Sequence, residues 1–519
     1  MEHLLALDAG TGSIRAVLFD LDGRQVGVSQ EEWTHLADPN YPGSMDFDYE
    51  ENWGKVVHCI KDVIHKTGVS PTSIKALSAT SMREGLVLYD ENGQEIWACA
   101  NVDARAGEEV CQLKKMNPEL EKEIYNVSGQ TYALGAIPRL LWLKKHEPEI
   151  YEATECMTMI NDWILYKLSE VLQVDPSNGC TTGLFDLEQR TWEAGIADKC
   201  GVKADIFPVV NEAGKVIGKV TEAAASLTGL AAGTLVVSGG GDAQMASVGV
   251  GAIEAEQTVV SGGSFWQQEV NVGKPLVDNA GRIRVNCHAV EGLWQLEAIA
   301  FFPGLVMRWF RDAFCEVEKA EAAASGRDAY EILEEKAKSV PVGANGILPI
   351  FSDTMNYSAW RHAAPSFVNL SLDPEKSGKA ALFKSLQENA ALITYGNLKL
   401  VEEATGFFPE EVIFVGGASK GKLWSQTLAD VLGVRVKVPV VKEAAALGTA
   451  LYAGVGAGLY GSIKEAVDSV VQWETTFTPN MENHQQYLGI YETWRKVYAE
   501  QLKLADLGVT THMWKAPGY

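Results

Sequence analysis

Residues 5–20 read LALDAGTGSIRAVLFD, and the fold turns on how this stretch is read. Short apolar or alternating runs stand on either side of a Gly-Thr-Gly-Ser turn, the pattern of two strands joined by a tight connection. In a Rossmann or P-loop unit the glycine-rich turn opens a helix. Here Ile14, Ala16 and Val17 follow the turn with no capping box, so the spacing predicts a hairpin. The LDGR turn then leads into QVGVSQEEW (25–33), and the first 35 residues are expected to form three strands.

The turn sets a chemical puzzle. Its glycines, Gly10 and Gly12, let backbone approach a polyphosphate, and Thr11 and Ser13 add hydroxyl donors. Asp8 at its mouth would repel bare phosphate, and a divalent cation between the two resolves the conflict. An ordinary hairpin turn is the competing reading of the same residues.

Composition narrows the classes. At 519 residues the chain is too long for one compact core, and two domains of about 200–250 residues are expected. The formal net charge is −24, from 68 acidic against 44 basic residues, which argues against a nucleic-acid partner and favours an uncharged small substrate. Eight scattered cysteines without a Cys-x-x-Cys pair read as reduced thiols of a cytoplasmic protein. The apolar run Ala444–Ile463 contains five glycines and few large side chains, so it is expected to pack in a core and not to cross a membrane.

Further along, ENWGKVVHCIKDVIHKTG (51–68) carries apolar residues at helical spacing, and IKALSATSMREGLVLYD (74–90) reads as strand, loop, strand. A helix-rich stretch is expected from Ala106 to about Lys167. An apolar strand followed by a glycine-rich turn then recurs in TLVVSGGGDAQ (234–244), QTVVSGGSFWQQEV (257–270) and VIFVGGASKGKLWSQTLADVLG (412–433), the last leading into a helix. The lobe boundary is placed near 245. This gives an N-terminal lobe at 1–245 and a C-terminal lobe at 246–519, two α/β lobes with a cleft between them.

Several residues carry candidate chemistry. Asp242, after three glycines, can take a proton from a substrate hydroxyl, or it can cap the next helix. Arg83 and Glu84 in SMREG, and Asp103 and Arg105 in NVDAR, can bind several hydroxyls or form ion pairs with each other. Ser261, Gly262, Gly263 and Ser264 form a turn able to cradle phosphate. Gly416, Gly417, Ala418 and Ser419, at a helix N-terminus, form one able to hold part of a nucleotide.

Eight motifs in order span the chain: DAGTGSIRAVLFDLDG, PGSMDFDYEENW, SMREG, NVDAR, GGGDAQ, VVSGGSFW, VGGASKGKLWSQTLAD and EAAALGTALYAGVGAGLY. Together they resemble the FGGY family of carbohydrate kinases. The resemblance implies two ribonuclease-H-like lobes of the actin/sugar-kinase fold, with ATP and Mg²⁺ in the cleft. It implies the first turn at the nucleotide phosphates with Asp8 toward the metal, Asp242 as catalytic base, and Ser261–Ser264 as a second phosphate loop. It further implies Gly416–Ser419 at the adenosine, and Arg83, Glu84, Asp103 and Gln244 at the acceptor hydroxyls.

Two departures from the family pattern stand out. Many relatives carry Trp where this chain has Asn101, and Gly-Trp ahead of the acidic pair where it has Ser44. Loss of aromatic surface points toward a small linear, carbonyl-bearing acceptor. The alternatives are another sugar or polyol kinase of xylulokinase type, and an actin- or chaperone-like ATPase. The resemblance also implies a phosphocarrier protein of the sugar phosphotransferase system as a partner, and is compatible with a homodimer.

Overall fold

The computed structural model describes residues 2–133, 135–441 and 443–516. The opening stretch is a hairpin: strand His3–Ala9 pairs antiparallel with Ser13–Asp20, which pairs in turn with Gln25–Glu32. The meander predicted for the first 35 residues is therefore present. His3–Ala9 is buried along its whole length, as expected of a strand covered on both faces.

Two mixed sheets organise the molecule. The first has six strands in the order 216–219, 235–241, 74–81, 3–9, 13–20 and 25–32. The second has seven, in the order 284–287, 294–301, 266–272, 258–262, 411–415, 435–439 and 473–477. Their plans coincide. In each, a block of antiparallel strands (three in the first sheet, four in the second) is followed by two parallel strands and closed by an antiparallel edge strand. Glycine turns 10–13 and 262–265 therefore occupy equivalent places, one in each lobe. The strand Leu235–Gly241, which lies before the boundary placed near 245, pairs parallel with Ile74–Ser81 inside the first sheet.

Helix Tyr49–Thr67 begins where the Asp48 side chain accepts from Glu51 N–H and ends at Gly68 in the left-handed conformation. Its buried stripe Val56, Cys59, Ile60 and Val63 joins the core under the first sheet. The middle stretch forms helices Gly107–Met116, Leu120–Ser128, Ala136–His146, Pro148–Ala153 and Ile160–Ser169, interrupted by strand Cys156–Met159. The 27-residue helix Lys379–Thr405 supports the second sheet.

The glycine-rich run 444–463 forms helix Ala444–Gly456, and its small residues pack with Leu4, Ala6, Val17 and Val237 of the first sheet. A segment late in the chain thus returns to the first lobe. It crosses helix Asp242–Gly249, whose Met245 and Val248 share the same core. Among the described residues, no helix is long and apolar enough to cross a membrane.

Candidate active site

Strand ends and helix starts converge on the cleft between the sheets. The first turn is held from behind: Trp33 Nε1 donates to the Gly10 carbonyl at 2.7 Å and Trp33 N–H donates to that of Gly12 at 3.0 Å. His35 Nε2 bonds the Thr11 carbonyl at 2.8 Å. Asn101, one of the two departures from the family pattern, donates from Nδ2 to Thr11 Oγ1 at 3.0 Å. A Cβ added at Gly12 would meet nothing within 4 Å, so the outer face of the turn is open to a ligand.

Asp8 ends the first strand directly opposite Arg15, whose Nη1 lies 3.9 Å from Asp8 and 2.8 Å from Glu443. Burial pushes the Asp8 carboxyl up to about 7; Arg15 opposes this, while Asp242 and Glu443 add to it. Asp242 opens helix Asp242–Gly249, and its Oδ1 accepts from Ala243 N–H at 2.8 Å. Its side chain keeps 38% of its surface open to the cleft, yet desolvation by the surrounding protein raises it to about 6. Gly241 is the N-cap and Asp242 the first helical residue, so the carboxylate meets a helix-start amide without being the cap. GGG at 239–241 is strand backbone, not the loop the sequence suggested.

Asp242 lies near enough to Asp8 to add to the rise of its carboxyl, and Arg15 and Arg83 oppose the rises at Asp8 and Asp242 respectively. Mg²⁺ is typically bound through one or two carboxylates, with phosphate oxygens and waters supplying the rest. The donor set suits a magnesium ion that arrives with a nucleotide. Among the described residues, no group of three or more His, Cys, Asp or Glu is arranged to hold a metal on its own.

The two later glycine turns touch. Gly416 has φ +87°, and a Cβ there would lie 2.7 Å from the Gly262 carbonyl oxygen, so the contact admits only glycine. A Cβ on Gly262 would meet that of Ala418 at 2.7 Å. Gly416 and Gly417 expose their backbone to solvent, and Ser264 is exposed at the tip of its hairpin. Ser419 turns its hydroxyl inward to the Gly416 carbonyl at 2.8 Å. It closes the turn, and the loop's backbone remains as the surface offered to a ligand.

The expected acceptor residues divide. Arg83 is buried, approaches Asp242 at 3.7 Å and forms an ion pair with Glu297 of the second sheet. Glu84 sits at φ +62° and pairs with Arg284 at 2.5 Å. Gln244 is fully buried beside Gly241, with both amide atoms unpartnered among the described residues. Asp103 departs from the expectation. Its carboxylate is closed off from solvent and accepts from Met45 N–H at 2.7 Å and Arg105 Nε at 2.8 Å. It clamps the chain at Met45, just ahead of strand Asp46–Phe47, with its oxygens sealed from solvent.

Arg139 completes that clamp, donating to the carbonyls of Glu84, Asn101 and Asp103. Sequence reasoning had no route to Arg139, Arg284, Glu269 or Glu297. Alternating polar residues in QQEVNV and LWQLEA were the available signal, since a central strand expected to be buried should not carry them.

Comparison with known proteins now bears on this arrangement. Residues 3–249 match the N-terminal domain, and residues 275–457 the C-terminal domain, of the FGGY family of carbohydrate kinases. A relative from Escherichia coli named autoinducer-2 kinase is 53% identical over 517 residues, covering 99% of this chain and 98% of that protein. The chain belongs to the FGGY family of carbohydrate kinases.

Autoinducer-2 kinases from Enterobacter sp. and Klebsiella pneumoniae are also 53% identical, across 100% of this chain and 98% of theirs. The fold recurs in a ligand-bound xylulose kinase from Lactobacillus acidophilus (TM-score 0.85, 19% identity, 97% of this chain and 99% of that one). It recurs in Plasmodium falciparum glycerol kinase with ADP (TM-score 0.83, 18% identity, 96% and 98%). As a member of this family, the chain is a phosphotransferase acting on an alcohol group, with ATP as donor.

Proposed function

We propose that this kinase phosphorylates autoinducer-2, taken as open-chain 4,5-dihydroxy-2,3-pentanedione, at its terminal hydroxyl. The observation that carries the reading is full-length likeness, at 53% identity, to proteins named for that activity. The site is chemically suited to it. Asp242, poised near 6 and open to the cleft, accepts the proton of the primary hydroxyl as its oxygen approaches the γ-phosphorus in line. The amides of turns 10–13 and 261–264, with the hydroxyls of Thr11 and Ser13, are offered to the phosphates, and turn 416–419 to the adenosine. Asp8 would hold the cation that accompanies ATP, and that cation would offset charge developing on the phosphoryl group. Closure of the two lobes keeps water from competing as acceptor.

The test is ADP release from Mg-ATP with no acceptor, glycerol, xylulose, ribulose or 4,5-dihydroxy-2,3-pentanedione, with Asp242→Asn alongside. Turnover confined to the pentanedione, with kcat about 10²- to 10⁴-fold lower in the variant, is the expected result. Turnover with a sugar instead overturns the acceptor, and turnover without any acceptor favours an ATPase. Cytoplasmic residence, self-association and control by a phosphocarrier protein belong to the same reading on family resemblance alone. Sedimentation with and without such a carrier tests the last two.

A further inference from the structure

Three strands of the second sheet bring a row of charged side chains to the cleft. Glu269 stands directly opposite Glu297, and Glu297 directly opposite Arg284, so the three share one face of the sheet. Arg83 reaches this row from the first lobe through its ion pair with Glu297, and the same guanidinium lies 3.7 Å from Asp242. The row therefore begins one side chain away from the proton acceptor.

The neighbouring row is largely paired. Gln295 Nε2 donates to Ser247 Oγ at 2.8 Å and to Asn271 Oδ1 at 3.1 Å, and Asn286 Nδ2 donates to Glu297 Oε2 at 3.1 Å, which leaves Gln295 Oε1 unpartnered among the described residues. The Glu269 row carries more unpartnered atoms. Both oxygens of Glu269 and Oε1 of Glu297 lack hydrogen-bond partners among the described residues. Gln244, one helical turn before Ser247 and so on the same face of its helix, has both amide atoms unpartnered. Glu269 is 2% exposed, and Glu297 and Gln244 are fully buried. Buried polar groups are nearly always satisfied, by protein, by water or by a ligand.

Resting on the acceptor reading above, we propose that Glu269, with Gln244 and Glu297, contacts the acceptor and sets its specificity for an uncharged, polyoxygenated chain. Arg83 and Arg284 are already paired with Glu297 and Glu84, so the row has no spare cation with which to bind an anionic acceptor. Burial beside Glu297 holds Glu269 toward its neutral form, in which it both donates to and accepts from carbonyl and hydroxyl oxygens. Because Gln244 follows the last strand of the first sheet and Glu269 belongs to the second, the acceptor joins the lobes as it binds.

The full-length kinase is assayed as wild type, Glu269→Gln and Glu269→Ala, on whichever acceptor of the panel the wild type phosphorylates. The expected result is an acceptor KM raised on the order of 10- to 100-fold in Glu269→Ala, with a smaller rise in Glu269→Gln and the KM for ATP unchanged. Equal rises in both KM values, or none, overturn the inference and leave waters as the partners of this row. If Glu269→Ala does not fold, the volume-conserving Glu269→Gln decides: a rise in acceptor KM alone supports the contact, and its absence overturns it. A wild type that turns over no acceptor overturns the kinase reading and this inference together, whereas an active wild type with unaltered variants overturns this inference alone.

Discussion

Asp8 and Asp242 lose solvation on folding, and both are raised above the ordinary carboxylate range, to about 7 and about 6. Their sign follows from linkage. A carboxyl whose folded pKa is raised binds its proton more tightly in the native state. Its favourable contribution is fully present below about 4 and is lost as pH rises through the folded value. Ionised Asp8 thus subtracts from the stability of the ligand-free protein above about pH 7. Asp8→Asn is expected to raise the ligand-free Tm at pH 8 while abolishing most of the gain in Tm given by Mg-ATP. A lower ligand-free Tm in the variant would show that the Arg15 contact outweighs desolvation. Since Asp242 must be ionised to accept a proton, kcat/KM for the acceptor should fall as pH drops below about 6, read from a pH–rate profile.

At the scale of elements, the two helices between the sheets meet at their glycines. A Cβ on Gly448 would lie 2.0 Å from the Met245 carbonyl oxygen, and one on Gly249 would lie 1.9 Å from that of Ala444. Backbone stands against backbone here, so neither side can yield by rotating a side chain. Gly448→Ala is expected to cost at least about 1–3 kcal/mol, measured by denaturant unfolding. It should also lower kcat, because helix Asp242–Gly249 carries Asp242 at its first position. The run 444–463 looked unusual in sequence for its small residues, and their purpose is this close crossing. Hydropathy predicts a buried helix in this run, and Ala444–Gly456 forms it. It could not show that its partner is a helix some two hundred residues earlier in the chain.

At the scale of the whole molecule, the lobes are tied by ion pairs in reciprocal order. Arg83 pairs with Glu297, and its neighbour Glu84 pairs with Arg284. All four are buried, and Glu297 also lies 3.6 Å from Arg284, so removing it leaves two guanidinium groups short of their counter-charge. Glu297→Ala is expected to destabilise the protein by about 3–5 kcal/mol. Small-angle scattering should then show a more open particle with Mg-ATP and acceptor than the wild type gives; an unchanged radius of gyration would show that the latch does not govern closure. Arg83 and Arg284 hold Glu297 in its charged form by outweighing the desolvation it suffers.

What the sequence determined by itself was local and ordered. The opening hairpin, the amphipathic helix 49–67, the glycine turns and the helix start at Asp242 are each specified by a few consecutive residues, through alternation, helical spacing, capping and turn chemistry. The order of eight motifs sufficed to suggest the family. Only the tertiary structure decided which charges meet. Asp103 is sealed from solvent because Arg105 and the Met45 amide claim its oxygens, while Glu269, Glu297 and Arg284 entered the cleft from strands that, read singly, look like buried sheet. The likeness of the two sheets was hidden for the same reason. Equivalent strands share their pairing but not their side chains, and pairing between strands far apart in the chain is a property of backbone geometry that no local window records.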